Sequence, residues 1–576
     1  MLATVLISAL CWLPGAQDLV PSAVGGGSWV QRWGPVSEIG YSLMGEALAL
    51  VGDISGSGGI PDGYGDLVAG RPRFRQGLSS LGAYSIHSGF TGHNGNGVYA
   101  GSGGRFGQAF AAVGQDLTGD GLADFLVGAY LEGRVELHTG TNGRVVGFDS
   151  PEVGDWMGVA LAVGDLTGDA FPDLIFGASL AVHPTLGESR GRVYVHSGDP
   201  NTSFSLIRQV EGQSSNERFG ASLAVLDDLD GDGRRELAVG APRASWSWLE
   251  SGAVYVFSGS GGLLYRLEGD QAEAKFGQTL AALDDVDGDG FSDLLVGAPN
   301  QDVAGVLEAG QVSLYSGLDG SLLRRHFGNG GQTFHFGAAV ESLKDVNGDG
   351  FGDYAVSAPE EDNPNGSWIK PGAVHVFSGA DGVPMLRVHS RRSLEKFGKA
   401  LAGGRSADGD WVPDLAVGAP GFEQFGPANA DGAVYLFALE PHISPVKPQI
   451  LSASAGGNLE FRVDFPFSQP TAVFQVLASL GGITPQVSVA GYQLPLGDHS
   501  WLRASLQRRY GNLPFDLIHP VGVLHQGRSR FQLEAAPGQL QPWVGQKIHL
   551  VAVAASSPIS PLIEFCSVVA SVEIVP

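Results

Sequence analysis

Between Phe276 and Pro299 the chain places carboxylates at Asp285, Asp287, Asp289 and Asp293, positions 1, 3, 5 and 9 of a nine-residue loop. Oxygens at that spacing suit a hard cation, and Gly290 at position 6 permits the sharp turn that folds them onto one point. Four carboxylates about 4 Å apart with no cation between them would repel by roughly 4 kcal/mol per pair at an effective dielectric of about 20. The bland alternative is that Asp-Gly runs are ordinary hairpin turns. Recurrence decides between the two, because five loops carry acids at the same positions with apolar segments on either side. An EF-hand is excluded: its twelfth position needs a bidentate Glu, and here that place holds Val239 or Val296. Many flexible oxygens favour calcium over magnesium, in a structural role that pins a turn between two strands.

The elements around each loop repeat as well. A leading pair reads Met44-Gly45, Phe106-Gly107, Met157-Gly158, Phe219-Gly220, Phe276-Gly277, Phe336-Gly337 and Phe397-Gly398. A closing run follows each loop, from Val68-Ala-Gly-Arg-Pro72 through Val239-Gly-Ala-Pro242 and Val296-Gly-Ala-Pro299 to Val417-Gly-Ala-Pro420. Strands such as 252–258 and 263–267 complete each period of about 60 residues. Four short strands per period, seven times over, predict an all-β fold, a seven-bladed β-propeller. After the seventh repeat the fourth strand is missing, while Gly27–Gly34 matches Gly262–Gly269. The N-terminal strand is therefore expected to complete the last blade, which removes an open sheet edge.

Phe-Gly, an Asp-rich loop and Gly-Ala-Pro in alternation resemble the FG-GAP repeats of the integrin α-subunit propeller over residues 27–440. The resemblance implies calcium loops between the first and second strands on one face, and adhesion or protein recognition at the other. It also implies ligand positions residue by residue. The second loop offers Asp116, Thr118, Asp120 and Asp124; the third offers Asp165, Thr167, Asp169 and Asp173. The fourth offers Asp228, Asp230, Asp232 and Glu236, and the fifth the four aspartates named above. The sixth offers Asp345, Asn347, Asp349 and Asp353; the seventh keeps Asp408, Asp410 and Asp414 but has Ser406 first. The carbonyl at position 7 would add a ligand. Ala170 replaces the turn glycine of the third loop, which strains that site, and the first loop, Asp53–Asp66, is stretched, leaving Asp62 and Asp66 undecided.

Net charge is −26, and 20 of the 60 acidic residues lie in six of the loops, so the acidity is concentrated in candidate metal sites. Binders of nucleic acid need basic stripes, which this chain lacks. Cys11 and Cys566 are the two cysteines. Cys11 sits in the apolar run Leu2–Leu13, which resembles a secretion signal over residues 1–16, the alternative being a mis-assigned start or a buried strand. Cleavage would leave one thiol and no internal disulfide. The expected location is secreted or cell surface, and no later apolar run is long enough for a membrane span.

Three prolines in 441–448 predict a linker. Alternating segments such as Leu459–Phe465, Ala472–Leu477 and Lys547–Val553 predict a β-sandwich-like domain over 449–576. Part of it resembles, weakly, a C-terminal β-domain of secreted bacterial proteins. For catalysis, Gly187-Glu-Ser189-Arg-Gly191 matches a nucleophile pattern but lies where no helix is expected, so no catalytic residue is nominated. Loops between second and third strands should oppose the cation loops. They carry Trp246, Trp248, Trp368 and Phe425, either contact anchors for a protein or surface glycan or rings folded back on blade edges. The expected function is calcium-bound adhesion or recognition, with no enzyme activity. The alternatives are a structural envelope or matrix component, or a glycan-active propeller using a central-channel acid.

Overall fold

The computed structural model describes residues 27–36, 43–54, 65–76, 79–89, 94–101, 105–139, 143–328, 334–346, 350–362, 369–390, 392–407, 413–423 and 432–441, with further strands between 443 and 575. Seven four-stranded antiparallel sheets follow one another along the chain. In the fifth, Thr279–Leu283, Asp293–Ala298, Gln311–Tyr315 and Leu322–Phe327 pair in sequence order. The last sheet is completed from the other end of the chain. Gly27–Val36 joins it beside Ala433–Pro441, then Asp414–Ala419 and Leu401–Arg405. First strands meet around the ring, and Leu48–Val51 of blade 1 lies against Leu401–Arg405 of blade 7. The result is the seven-bladed propeller that the repeats predict.

The core lies between blades rather than within them, because each sheet is apolar on both faces. Second strands are buried along their length, as in Asp293–Ala298 and Glu236–Ala241. Between blades 4 and 5, Leu226, Ala238, Val254 and Val256 pack on Phe276, Leu294 and Val296. The ring's seam is built the same way, with Met44, Leu48, Leu50 and Leu67 against Ala402, Ala416, Val434 and Leu436.

The two sequence signatures are the stacking device. In blade 5, Gly277 N–H donates to the Gly297 carbonyl at 3.0 Å, so the Phe-Gly turn sits on the closing run of its own blade. Gly297 in turn faces the next blade: a β-carbon there would come within 2.4 Å of the Gly337 carbonyl. Only glycine lets the two backbones approach that closely. At the seam, a β-carbon on Gly418 would lie 2.0 Å from the Gly45 carbonyl.

The chain divides into two compact units, the first ending at Ala438 and the second consisting chiefly of Leu439–Pro576. In the second, Ile443–Pro445, Gly457–Asp464, Arg528–Ala535 and Asp516–Ile518 form one sheet. Leu451–Ser452, Ala570–Val575, Lys547–Ala555, Val473–Ser479 and Val521–Val523 form another, with Phe565–Cys566 on Lys547–Ala555. The stretch read as a linker, 441–448, thus contains a strand, Ile443–Pro445. It lies at the edge of its sheet, where a proline's missing N–H is tolerated. The leader read over residues 1–16 lies outside the described residues.

Candidate metal loops and the face opposite

Each acidic loop joins the first and second strands of a blade, and its ninth residue begins or immediately precedes the second strand. That residue is fully buried in every blade: Asp66, Asp124, Asp173, Glu236, Asp293, Asp353 and Asp414. One of its oxygens anchors the loop by accepting the N–H of position 2. The donors are Leu117 at 2.8 Å, Leu166 at 2.9 Å, Leu229 at 2.7 Å, Val286 at 2.8 Å and Ala407 at 2.6 Å. Ile54 makes the same bond to Asp66 at 2.7 Å, which places Asp66 at the ninth position of the stretched first loop; Asp62 lies outside the described residues.

Position 1 shapes the loop's turn. Asp116 accepts N–H bonds from Thr118, Gly119, Asp120 and Gly121, and Asp165, Asp228, Asp285 and Asp345 each accept the N–H of position 6. In the third loop that donor is Ala170, held at φ 70°, so the turn survives its missing glycine. A non-glycine residue in that region costs about 1–2 kcal/mol. Burial is the largest single influence on Asp116 and pushes it up, but its four N–H bonds together prevail and hold it below the usual carboxylate range.

The remaining oxygens converge. Ligand oxygens of Asp228, Asp230, Asp232 and Glu236 lie within 4.8 Å of one another, as do those of Asp116, Asp120 and Asp124, and those of Asp285, Asp287 and Asp289. Asp293 is not in that last group: its oxygens take N–H bonds from Val286 and from Gly317 at 3.1 Å. Asp165, Asp169 and Asp173 are not gathered to the same degree, and Thr167 donates to Asp165 at 3.4 Å. Thr118 donates to Asp124 at 3.3 Å. Asn347, Asp349, Asp408 and Asp410 lie outside the described residues.

Blade 4 offers the sharpest test of whether a cation fits. Glu236 Oε2 takes the Leu229 N–H, while Oε1 is buried without a hydrogen-bond partner beside Asp228, Asp230 and Asp232. An orphaned buried carboxylate oxygen is costly unless something positive meets it. Burial first, and then those three neighbouring charges, push Glu236 up to about 7 despite the Leu229 bond. Burial likewise lifts Asp124 and Asp173 to about 6 and Asp293 to about 7. An all-oxygen donor set with this surplus of negative charge fits calcium: Asp228, Asp230, Asp232 and Glu236 would hold it, with the Arg234 carbonyl available.

A Ser-Gly pair after the third strand supports the loops, and sequence reasoning passed over it. Ser316 donates to Asp289 at 3.3 Å and Ser258 to Asp232 at 3.4 Å. The following glycine reaches the ninth acid, as Gly317 N–H does to Asp293 and Gly379 N–H does to Asp353 at 2.9 Å. The signal was in view: Ser88-Gly89, Ser197-Gly198, Ser258-Gly259, Ser316-Gly317 and Ser378-Gly379 recur at one place in the period.

On the opposite face, Trp246 is 41% exposed and turned back on its own blade. Its Nε1 donates to the Tyr255 hydroxyl at 2.9 Å, and the Arg266 guanidinium lies 4.0 Å over its ring. Trp248 is 57% exposed, whereas Trp368 and Phe425 lie outside the described residues. Ser189 sits in a loop and its hydroxyl donates to the Leu180 carbonyl at 3.1 Å, with no nucleophile elbow around it.

An FG-GAP repeat profile matches residues 107–148, 157–196, 219–257 and 276–315, four consecutive blades. The propeller is of the integrin-α-like FG-GAP type. Integrin alpha-PS2 of Drosophila melanogaster is 36% identical over 224 residues, covering 35% of this chain and 15% of that one. Integrin alpha-2 of Mus musculus is 30% identical over 287 residues, covering 46% and 23%. Integrin alpha-V of Gallus gallus is 34% identical over 226 residues, covering 36% and 20%. The match thus spans less than a quarter of each of these relatives. Among solved structures, the V. cholerae biofilm matrix protein Bap1 aligns with a TM-score of 0.39 at 11% identity, covering 73% of this chain and 91% of that one. No helix among the described residues is long and apolar enough to cross a membrane.

Proposed function

We propose that the chain is a secreted or cell-surface recognition module of adhesion type, whose FG-GAP propeller is stabilised by calcium in the loops of one face and meets a protein partner with the other. The observation that carries the calcium part is Glu236 Oε1, buried and unpartnered among three aspartates. Bound calcium would convert mutually repelling acids into clamps between first and second strands. The recognition part rests on the likeness to integrin α chains and on the long loops gathered at the other end of the strands.

Thermal melting of the full chain in calcium, in magnesium and in chelator tests the first part. Calcium is expected to raise the melting temperature by several degrees, in line with stabilisation growing as RT ln(1 + [L]/Kd); an identical temperature in chelator overturns it. Capture of an extracellular or matrix protein by the immobilised chain in calcium, lost in chelator, tests the second. Failure to retain any partner favours a purely structural matrix component.

A further inference from the structure

We propose that the cavity between the Phe-Gly turns of blades 5, 6 and 7 is a carboxylate subsite that receives an acidic side chain of a protein partner. This deepens the recognition reading above and rests on it.

In every blade the residue before Phe-Gly or Met-Gly has a positive φ: Leu43, Arg105, Trp156, Arg218, Lys275, His335 and Lys396. Glycine or asparagine would occupy such a position at less cost. Five of the seven are instead basic, in a chain with only 34 lysines and arginines. Conformation does not ask for a cation there. The antiparallel order of the strands puts these turns at the end of the blade opposite the acidic loops.

Three of the turns border an open cavity of about 230 Å³, whose polar lining is Gln278, Asn300, His335, Glu360, Lys396 and Lys399, with two prolines and an alanine between them. Lys396 and Lys399 come from one turn, closed by the Lys399 N–H to Lys396 carbonyl bond at 3.1 Å. Phe397 between them is fully buried, and its N–H donates to the Pro371 carbonyl at 3.0 Å. Both lysines are exposed, and neither is in an ion pair among the described residues. The one acid in the lining is already engaged: Glu360 accepts from Lys370 Nζ at 2.8 Å and lies 3.7 Å from His335 Nδ1. The Lys396 and Lys399 ammonium groups on one preorganised turn, with the Gln278 amide from the blade 5 turn, suit a carboxylate; Lys396 also attracts Glu360, and Asn300 Nδ2 already donates to Glu308 at 3.3 Å. Three exposed aliphatics, Leu307, Ile369 and Leu394, come from the loops and turns around these residues. Leu394 N–H donates to the Ile369 carbonyl at 2.9 Å, and Leu307 adjoins Glu308, which pairs with His335. Apolar groups beside cations favour an acidic polypeptide segment over an acidic sugar.

Fluorescence anisotropy tests this on the full chain in calcium, with a labelled peptide alternating glutamate and leucine, its glutamine counterpart and an oligogalacturonate. The glutamate peptide should bind about tenfold more tightly than the glutamine one and weaken with salt. Lys396→Glu/Lys399→Glu should lose about tenfold at unchanged melting temperature, and the exposed Arg144→Ala on blade 2 should lose nothing. If the double variant misfolds, Lys399→Ala should still lose about threefold. Equal binding of both peptides, full binding by the lysine variants, or tighter binding of the oligogalacturonate overturns the proposal. A natural partner held equally by wild type and the double variant overturns the subsite while leaving the recognition reading intact.

Discussion

Glu236 has one oxygen committed to the Leu229 N–H and one left for a cation, and replacing it with glutamine separates the two jobs. Glu236→Gln keeps an acceptor for Leu229 and removes a charge repelled by Asp228, Asp230 and Asp232. In chelator the variant should be as stable as wild type or slightly more so, since a buried uncompensated charge is gone. In saturating calcium it should lose about 1.4 kcal/mol for each tenfold drop in that site's affinity, read as a smaller calcium-induced melting shift. An unchanged shift would remove Glu236 from the ligand set. At this scale the acids were legible because their spacing is a chemical demand repeated loop after loop. Their division of labour was not. That position 1 is saturated by backbone N–H groups, and that position 9 is buried in every blade, depends on a strand start and a Ser-Gly turn contributed from elsewhere in the blade.

Blade 6 carries a buried charge cluster that owes nothing to the repeat. Glu361 is fully buried, takes Nε2 of His375 at 2.8 Å and pairs with Arg387. Burial alone would raise its pKa, but His375 and Arg387 together hold it below the usual glutamate range. A depressed carboxylate contributes stability that is present above its unfolded value, about 4.3, and is lost as pH falls through the lower folded one. Glu361→Gln should therefore cost about 1–3 kcal/mol at neutral pH, because Arg387 keeps partial access to water. With His375 and His389 also facing Glu361, the diagnostic window is the acid limb: the gap between the wild-type and variant stability curves should close as pH falls below about 4. A gap that goes on widening below that pH would reverse the assignment. Strands of this blade were legible from apolar alternation and the closing Val356-Ser-Ala-Pro359, whereas this cluster was not: Glu361, His375 and Arg387 come from a loop and two strands whose register only the fold supplies.

The last blade of the ring is completed by a strand from the far end of the chain. Gly27–Val36 pairs with Ala433–Pro441, and without it the last blade would present the free edge of a nine-residue strand. Strand count and closure were readable because the seventh period lacks a fourth strand and the N-terminus supplies a match. The strand within 441–448 was not, since a proline excluded from a sheet interior is acceptable at its edge. Deleting residues 1–36 should leave the seam's own core in place, because Met44, Leu48 and Leu436 lie outside the deletion. What is lost is one strand's ladder, each of its hydrogen bonds worth about 1 kcal/mol net. The truncated chain should therefore still fold in calcium but melt several degrees lower, and its bare edge should recruit a second copy. Light scattering coupled to size exclusion should find dimers or larger species that the full chain does not form. Supplying residues 27–36 as a free peptide should restore the monomer and most of the lost melting temperature. A truncated chain that stays monomeric and melts like wild type would mean that contacts between first strands close the ring by themselves.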